Sequence, residues 1–182
     1  MLFTLIFAAI IIFVVSCEFY TLRTGVPTSA SFLSAQRKII DILKTHTAHH
    51  PSPTILDLGS GNGQLAWRVA KALPHAKVIG IEISFFPWFN SVLRQKLTGT
   101  KNLSYRRVDF WTYDCSQTDV VLTYLTENII SRVSEKLHAE LKPQALVVAN
   151  DVWLMGSWQP FETYDNPMFG RFNSQIYVYR QT

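Results

Sequence analysis

The chain predicts an α/β fold: a mostly parallel sheet of seven strands, covered by helices and closed by an antiparallel hairpin. Three observations predict it. Strand-length apolar runs alternate with helix-spaced segments from Thr54 onward, a glycine-rich turn directly follows the first of those runs, and the last two runs have no helix between them. Alternation of this kind builds βαβ units, whose parallel strands need cover on both faces.

Ahead of that domain, Leu2 to Cys17 carries no charged residue and is almost entirely Leu, Ile, Phe, Val and Ala. At ~1.5 Å per residue such a helix is about 24 Å long, slightly short of a ~30 Å hydrocarbon core, and Phe19, Tyr20 and Leu22 can extend it. Residues 1 to 22 are therefore expected to form one transmembrane helix. A cleaved signal peptide would need a basic start that is missing, although Val14-Val15-Ser16-Cys17 resembles a lipoprotein processing box and leaves processing at Cys17 open. Arg23, Arg37 and Lys38 all follow the segment, which by the positive-inside tendency places the rest of the chain in the cytoplasm.

Of 182 residues, the remainder suffices for one domain with one core. The chain's two cysteines, Cys17 in the N-terminal segment and Cys115 in the domain, offer neither a disulfide framework nor metal spacing. The net charge of +4 favours an anionic membrane surface, and no Lys/Arg tract is dense enough to argue for nucleic acid. Nothing in the sequence fixes an oligomeric state.

Residues 23 to 53 lead into the sheet. Phe32, Leu33, Ile39, Ile40 and Leu43 stand at helical spacing within Ser29 to Lys44, after Pro27-Thr28-Ser29. His46, His49 and His50 lie in a polar stretch ending at Pro51 and Pro53, and read as a solvated loop because no cysteine or carboxylate completes a metal site. From residue 54 to 182 the expected elements are a buried strand Thr54 to Leu58, a helix Gln64 to Leu73 with Leu65, Val69, Ala72 and Leu73 inward, and a strand Lys77 to Ile83. A helix Phe86 to Leu97, strands Leu103 to Val108 and Asp119 to Thr123, a helix Glu127 to Leu141 stopped by Pro143, and a strand Ala145 to Asn150 follow. Phe161 to Tyr164 and Gln175 to Arg180 are expected to pair antiparallel across a loop longer than an ordinary hairpin turn.

Asp57-Leu58-Gly59-Ser60-Gly61-Asn62-Gly63 is the most informative stretch: an acid at a strand end, then glycines at every second position. Such a loop lets backbone approach a ligand with no Cβ in the way, and the next helix offers unpaired N–H groups. The dinucleotide fingerprint wants glycine or alanine at position 64, where this chain has Gln64. The stretch resembles the first motif of the class I S-adenosylmethionine-dependent methyltransferases, so the resemblance implies their Rossmann-like fold and S-adenosyl-L-methionine as cofactor.

Ligands of such sheets bind outside the carboxyl ends of the strands, where strand order reverses. Glu82, 21 residues after Gly61, lies near the end of the second strand, where a carboxylate can accept both ribose hydroxyl protons; a surface or helix-capping acid is the alternative. Asp109 ends the third strand before Phe110 and Trp111, and the resemblance implies that Asp109 meets the adenine amino group while Phe110 covers the ring. Both also read as an ordinary strand-end acid and a core aromatic. Asp57 is expected to hold the glycine loop through backbone N–H groups and to present negative potential to the methionine ammonium. Methyl transfer is an in-line displacement with a good leaving group, so alignment supplies much of the catalysis and no acid–base residue is demanded.

A narrower resemblance rests on the apolar N-terminus, Val26-Pro27-Thr28, the glycine motif and the pair Pro87-Trp88 after the second-strand acid. Together these resemble the small membrane-anchored seven-β-strand lysine methyltransferases, whose members modify the ATP synthase c subunit and the adenine nucleotide translocase in mitochondria. The chain differs from their pattern in carrying Asn62 in place of an aspartate and Ser84-Phe85-Phe86 ahead of Pro87. The resemblance implies that Pro27 and Thr28 fold over the cofactor. It also implies a membrane-embedded protein as substrate. Cofactor binding is thus expected of Pro27, Thr28, Asp57, Gly59, Ser60, Gly61, Asn62, Gly63, Glu82, Asp109 and Phe110. Tyr124, just past the fourth strand, and then Trp153 are the expected acceptor-side, catalytic residues. A lipid or quinone acceptor, or a catalytically silent scaffold, stays open.

Overall fold

A computed structural model describes Phe3, Thr4, Phe7, residues 33–166 and residues 174–182. Its elements in order are α1 (Leu33–His46), β1 (Thr54–Leu58), α2 (Gln64–Ala72), β2 (Lys77–Glu82), α3 (Phe85–Thr98), β3 (Leu103–Arg107), a 3₁₀ turn (Phe110–Thr112), β4 (Val120–Thr123), α4 (Glu127–Glu140), β5 (Leu146–Asn150), β6 (Glu162–Asn166) and β7 (Ser174–Arg180). The strands and helices expected from Ser29 onward are all present, with ends that match or differ by up to four residues.

The strands form one sheet in the order β3-β2-β1-β4-β5-β7-β6. β1 pairs parallel with both β2 and β4, while β7 runs antiparallel to β5 and β6, as in Thr163↔Tyr177. The chain therefore leaves β1 toward one edge, ends that run at β3, and returns to β4 on the other side of β1. Strand order reverses at the β1/β4 pair, which opens a crevice at their carboxyl ends.

Two apolar layers sandwich the sheet. Ile39 and Leu43 of α1, Leu65 and Val69 of α2, and the partly buried Trp88 and Val92 of α3 cover one face. Ile130, Val133 and Leu137 of α4, with Leu154 and Trp158 from the segment after β5, cover the other. Full burial of each such side chain contributes about 1.5–3 kcal/mol. Ala72, expected inward, is only half-buried; Ala66 and Ala70 take the inward positions on α2 instead.

Two further expectations change. His46 is not in a solvated loop: it is the last residue of α1, and its Nε2 meets Glu162 Oε2 at 2.9 Å, tying α1 to β6. His50 Nε2 lies 3.3 Å from Asp119 Oδ1. The expected transmembrane helix of residues 1 to 22 lies outside the described residues, apart from the helical Phe3, Thr4 and Phe7. Among the described residues no helix is long and apolar enough to cross a membrane. The long loop expected between β6 and β7 also falls on residues not described.

Candidate active site

The glycine loop leaves β1 at the switch point and turns sharply. Ser60 N–H donates to Ile81 O over 2.8 Å, Gly63 N–H donates to Ser60 O over 2.8 Å, and Gly59, Gly61 and Gly63 adopt φ of +77°, +52° and +68°. L side chains rarely adopt such values. Space separates the roles of the glycines. A Cβ on Gly61 would meet nothing within 4 Å, whereas one on Gly63 would lie 2.5 Å from Tyr105 Oη and 2.6 Å from Ser91 Cβ. Gly61 thus faces an open cradle, and Gly63 is glycine because the fold closes on it.

Glu82 fastens that loop. Its Oε2 accepts from Gly61 N–H at 2.9 Å and its Oε1 from Ser84 N–H at 2.7 Å, so the carboxylate bridges the loop and the start of α3. Each oxygen keeps a further lone pair for a ligand hydroxyl. Asp57 does less for the loop than expected. It lies inside β1, its backbone partner is the Ala66 N–H in the first turn of α2, and its Oδ2 is buried without a partner. Burial pushes its carboxyl up to about 7, against the Ala66 hydrogen bond, with the Glu82 charge adding to the rise. A buried carboxylate with an unmet oxygen beside an open cradle fits a cationic ligand group. Ser60 Oγ, also buried and unpartnered, offers a second polar contact.

Asn62 is exposed, and its carbonyl accepts from Arg94 Nη1 over 2.6 Å. Val108 N–H donates to Glu82 O over 3.2 Å and so brings the end of β3 against the tip of β2. Asp109 then caps the 3₁₀ turn, its Oδ1 accepting from Trp111 N–H at 3.0 Å. Phe110 stands 4.6 Å, centroid to centroid, from Trp111, and both pack partly buried on the α4 face. Loop, Glu82 and Asp109–Phe110 therefore line consecutive strand tips, as expected for the cofactor residues. Pro27 and Thr28 lie outside the described residues.

On the acceptor side, Tyr124 is half-buried one place beyond the Thr123↔Ala149 pair, so register sets it beside Asn150 at the end of β5. Asn150 is buried and its Oδ1 has no partner; Asp151 follows at φ +74°. Trp153 is 55% exposed and meets Tyr177 edge-on at 6.5 Å. Its segment is held from below: Leu154 N–H donates to Tyr179 Oη at 2.9 Å, Met155 N–H to Ser134 Oγ at 2.9 Å, and Trp158 Nε1 to Ser134 O at 3.0 Å.

Sequence reasoning missed Tyr105, Arg94 and Asn150. Tyr105 Oη donates to Gly63 O over 2.6 Å and its ring also lies where a Cβ on Gly80 would fall. No local pattern marks a mid-strand tyrosine as the support of a loop 42 residues earlier. Asn150 had a signal, a polar residue closing the apolar Leu146-Val147-Val148-Ala149 run.

Comparison with known proteins agrees with this fold. A family model described as the ANTKMT methyltransferase domain matches residues 57–162, more than half of the chain. A protein-lysine N-methyltransferase of Saccharolobus islandicus (strain REY15A) is 28% identical over 144 residues, 79% of this chain and 86% of that protein. Among solved structures, an RNA methyltransferase from Salinibacter ruber in complex with S-adenosyl-L-homocysteine superposes with TM-score 0.69 at 24% identity, covering 84% of this chain and 93% of the other. Magnesium protoporphyrin IX methyltransferase from Synechocystis PCC 6803 with bound cofactor gives 0.62 at 16%, covering 82% and 81%. At those identities the structures share the fold.

Proposed function

The chain belongs to the ANTKMT methyltransferase domain family and is an S-adenosylmethionine-dependent methyltransferase, and we propose that it methylates a lysine side chain of a membrane-embedded protein from the cytoplasmic side. The observation that carries the reading of the site is the open cradle at Gly61, bounded by the bridging Glu82 and the partnerless Asp57 oxygen. Likeness to the Saccharolobus protein over most of both chains supports lysine as acceptor. The apolar, uncharged run Leu2 to Cys17 supports the membrane.

S-adenosylmethionine supplies an electrophilic methyl on a sulfonium. The chain's own part is to bind, orient and dehydrate. Glu82 accepts from the ribose hydroxyls, Asp109 and Phe110 flank the adenine, and Asp57 with Ser60 faces the methionine end. The lysine must arrive neutral, and burial near positive charge lowers an amine's pKa. Tyr124 and Trp153 would wall the acceptor, and Asn150 Oδ1 would accept a hydrogen bond from the amine N–H and so orient the nitrogen. Tethering to the substrate's own membrane raises its effective concentration.

Radiolabelled S-adenosylmethionine added to membranes with the enzyme, followed by separate protein and lipid extraction, tests this. Label is expected in protein, on lysine after hydrolysis. Label in the lipid fraction would transfer the reading to lipid or quinone acceptors, and cofactor binding without any transfer would leave a silent scaffold.

A further inference from the structure

Helix α3 carries its apolar residues on the wrong side. Phe85, Phe89, Leu93 and Leu97, each four residues after the last, are 40%, 48%, 45% and 79% exposed. Residues four apart form one ridge on a helix surface, and an exposed ridge of that length is rare on a soluble face. Phe85 and Phe89 stack at 6.0 Å, so the ridge is ordered at its start. Its other end forms, with Asn62, Asn90 and Arg94, a groove of about 500 Å³ beside the glycine loop.

Charge surrounds the ridge in one sign. Residues 58 to 108 hold eight Lys and Arg against the single acid Glu82, a net +7 in a chain whose total is +4. The sequence spreads these cations thinly; the fold gathers several of them on one face. α2 and α3 pack side by side on one face of the sheet, joined by Trp67 Nε1 donating to Thr98 Oγ1 at 3.1 Å, and β3 is the sheet edge next to them. Lys71, Lys96, Lys101 and Arg107 are exposed there, whereas Lys77 and Arg106 alternate onto the other face of the sheet. Arg107 lies 5.5 Å over the Phe85 ring, with its charge at the end of the ridge.

We propose that this face of the catalytic domain docks on an anionic phospholipid surface, with Phe85, Phe89, Leu93 and Leu97 entering the headgroup–acyl boundary and the surrounding cations meeting lipid phosphates. An apolar ridge rimmed by Lys and Arg is what an interfacial helix presents to a membrane, and each cation near an anionic leaflet adds attraction. Leucines at the exposed end of the ridge offer nothing to a phosphodiester backbone, which argues against nucleic acid. The inference rests on the membrane reading above and goes beyond it: the domain is oriented on the bilayer, with the cofactor loop beside the membrane rather than free on a tether.

The test places a nitroxide at Leu97→Cys in the full chain carrying Cys17→Ser; Cys115 is buried. The protein is reconstituted with vesicles of phosphatidylcholine alone or of equal parts phosphatidylcholine and phosphatidylglycerol. Flotation reports whether the chain is on the vesicles, and collision with oxygen against a water-soluble nickel chelate reports where the label sits. In anionic vesicles the oxygen-to-nickel ratio should rise several-fold over phosphatidylcholine, and Phe89→Glu with Leu93→Glu should abolish the rise while S-adenosylmethionine affinity stays unchanged. A chain that floats with its label in water overturns the docking and spares the membrane reading; a chain that does not float overturns both. A label equally shielded in both lipids shows the ridge covered by the chain's own residues 2–17, or by a second copy if the spectrum is dipolar-broadened. Either result overturns the proposal. Immobilisation by single-stranded RNA with no response to vesicles would reassign the face to nucleic acid.

Discussion

Gly61 N–H donates to Glu82 Oε2 over 2.9 Å, so one carboxylate at the tip of β2 holds the loop that leaves β1. The same group takes Ser84 N–H on its other oxygen. The residue proposed to orient the ribose thereby also shapes the cradle, and the two tasks would share one charge.

Glu82→Ala should therefore weaken S-adenosylmethionine binding by roughly 2–4 kcal/mol, the cost of losing charge-assisted hydrogen bonds and leaving polar groups unmatched. Glu82→Gln keeps one acceptor but turns an NH₂ toward a backbone N–H, and should fall between Ala and wild type. Calorimetric titration measures both. A loss of only a few tenths for Ala would make Glu82 a surface acid.

The glycines separate by what a methyl group would strike. Gly63→Ala must push aside Tyr105 Oη and Ser91 Cβ at φ +68°, which costs about 2 kcal/mol or more. The melting temperature should fall on the order of 5 °C. Gly61→Ala strikes nothing and bears only its left-handed φ, so it should stay folded and lose cofactor affinity instead. Thermal melts with and without cofactor separate the two, and the reverse pattern would move the cradle away from Gly61.

How far the sequence reaches follows the same division. Strand and helix alternation, the switch point and the acid at the tip of β2 depend on local pattern, and Thr54–Leu58 is found with the expected ends. Glu82 is legible because a polar residue closing the apolar Val78-Ile79-Gly80-Ile81 run has few reasons to be there, whereas Asp109, two places beyond the arginine-ended β3, is placed by the resemblance alone. Tyr105 is not legible, since its role depends on a neighbour brought in by packing. The exchange of roles between Asp57 and Glu82 escapes for a related reason. Which backbone N–H each carboxylate takes is set by where α2 starts, and a helix with Gly63 at its N-cap and no side-chain cap gives no local sign of that.

Asp57 makes stability depend on pH. Burial holds its folded-state carboxyl at about 7, above the ordinary 3.8, so the native chain keeps a proton that the unfolded chain releases. Its stabilising share is complete below about pH 4 and is lost as pH rises toward about 7. Asp57→Asn should match wild type near pH 4 and become the more stable protein near pH 8, as melting curves at the two pH values would show. Cofactor affinity of the wild type should rise over the same window, because the ionised form meets the methionine ammonium. A variant whose stability difference is flat across that range would place the titration elsewhere.

Tyr179 Oη takes the buried Leu154 N–H, and removing it leaves that donor unpaired. Tyr179→Phe should cost about 1–3 kcal/mol, and the loosened segment should let Trp153 wander. Methyl transfer should drop by more than cofactor affinity does. If both fall together, the segment serves the fold rather than the acceptor.

The last prediction separates the N-terminal run from the helix that follows it. A chain beginning at Ser29 keeps α1, whose Ala35, Ile39, Ile42 and Leu43 are buried on the sheet and whose His46 meets Glu162; it should fold and bind S-adenosylmethionine, since the sheet needs nothing earlier to bury its faces. Removing α1 as well uncovers Ile39, Ile42 and Leu43 at about 1.5–3 kcal/mol each, comparable to the whole stability of a domain, and should leave an unfolded or aggregating product. Activity of the shorter of these losses then divides by assay. Without residues 1 to 28, methylation of a target in intact membranes should fall far more than methylation of a detergent-solubilised acceptor, because tethering gives no concentration advantage in solution. Equal loss in both assays would make the segment part of the active fold, and release of the full chain by a carbonate wash would show that it never held the enzyme in a bilayer.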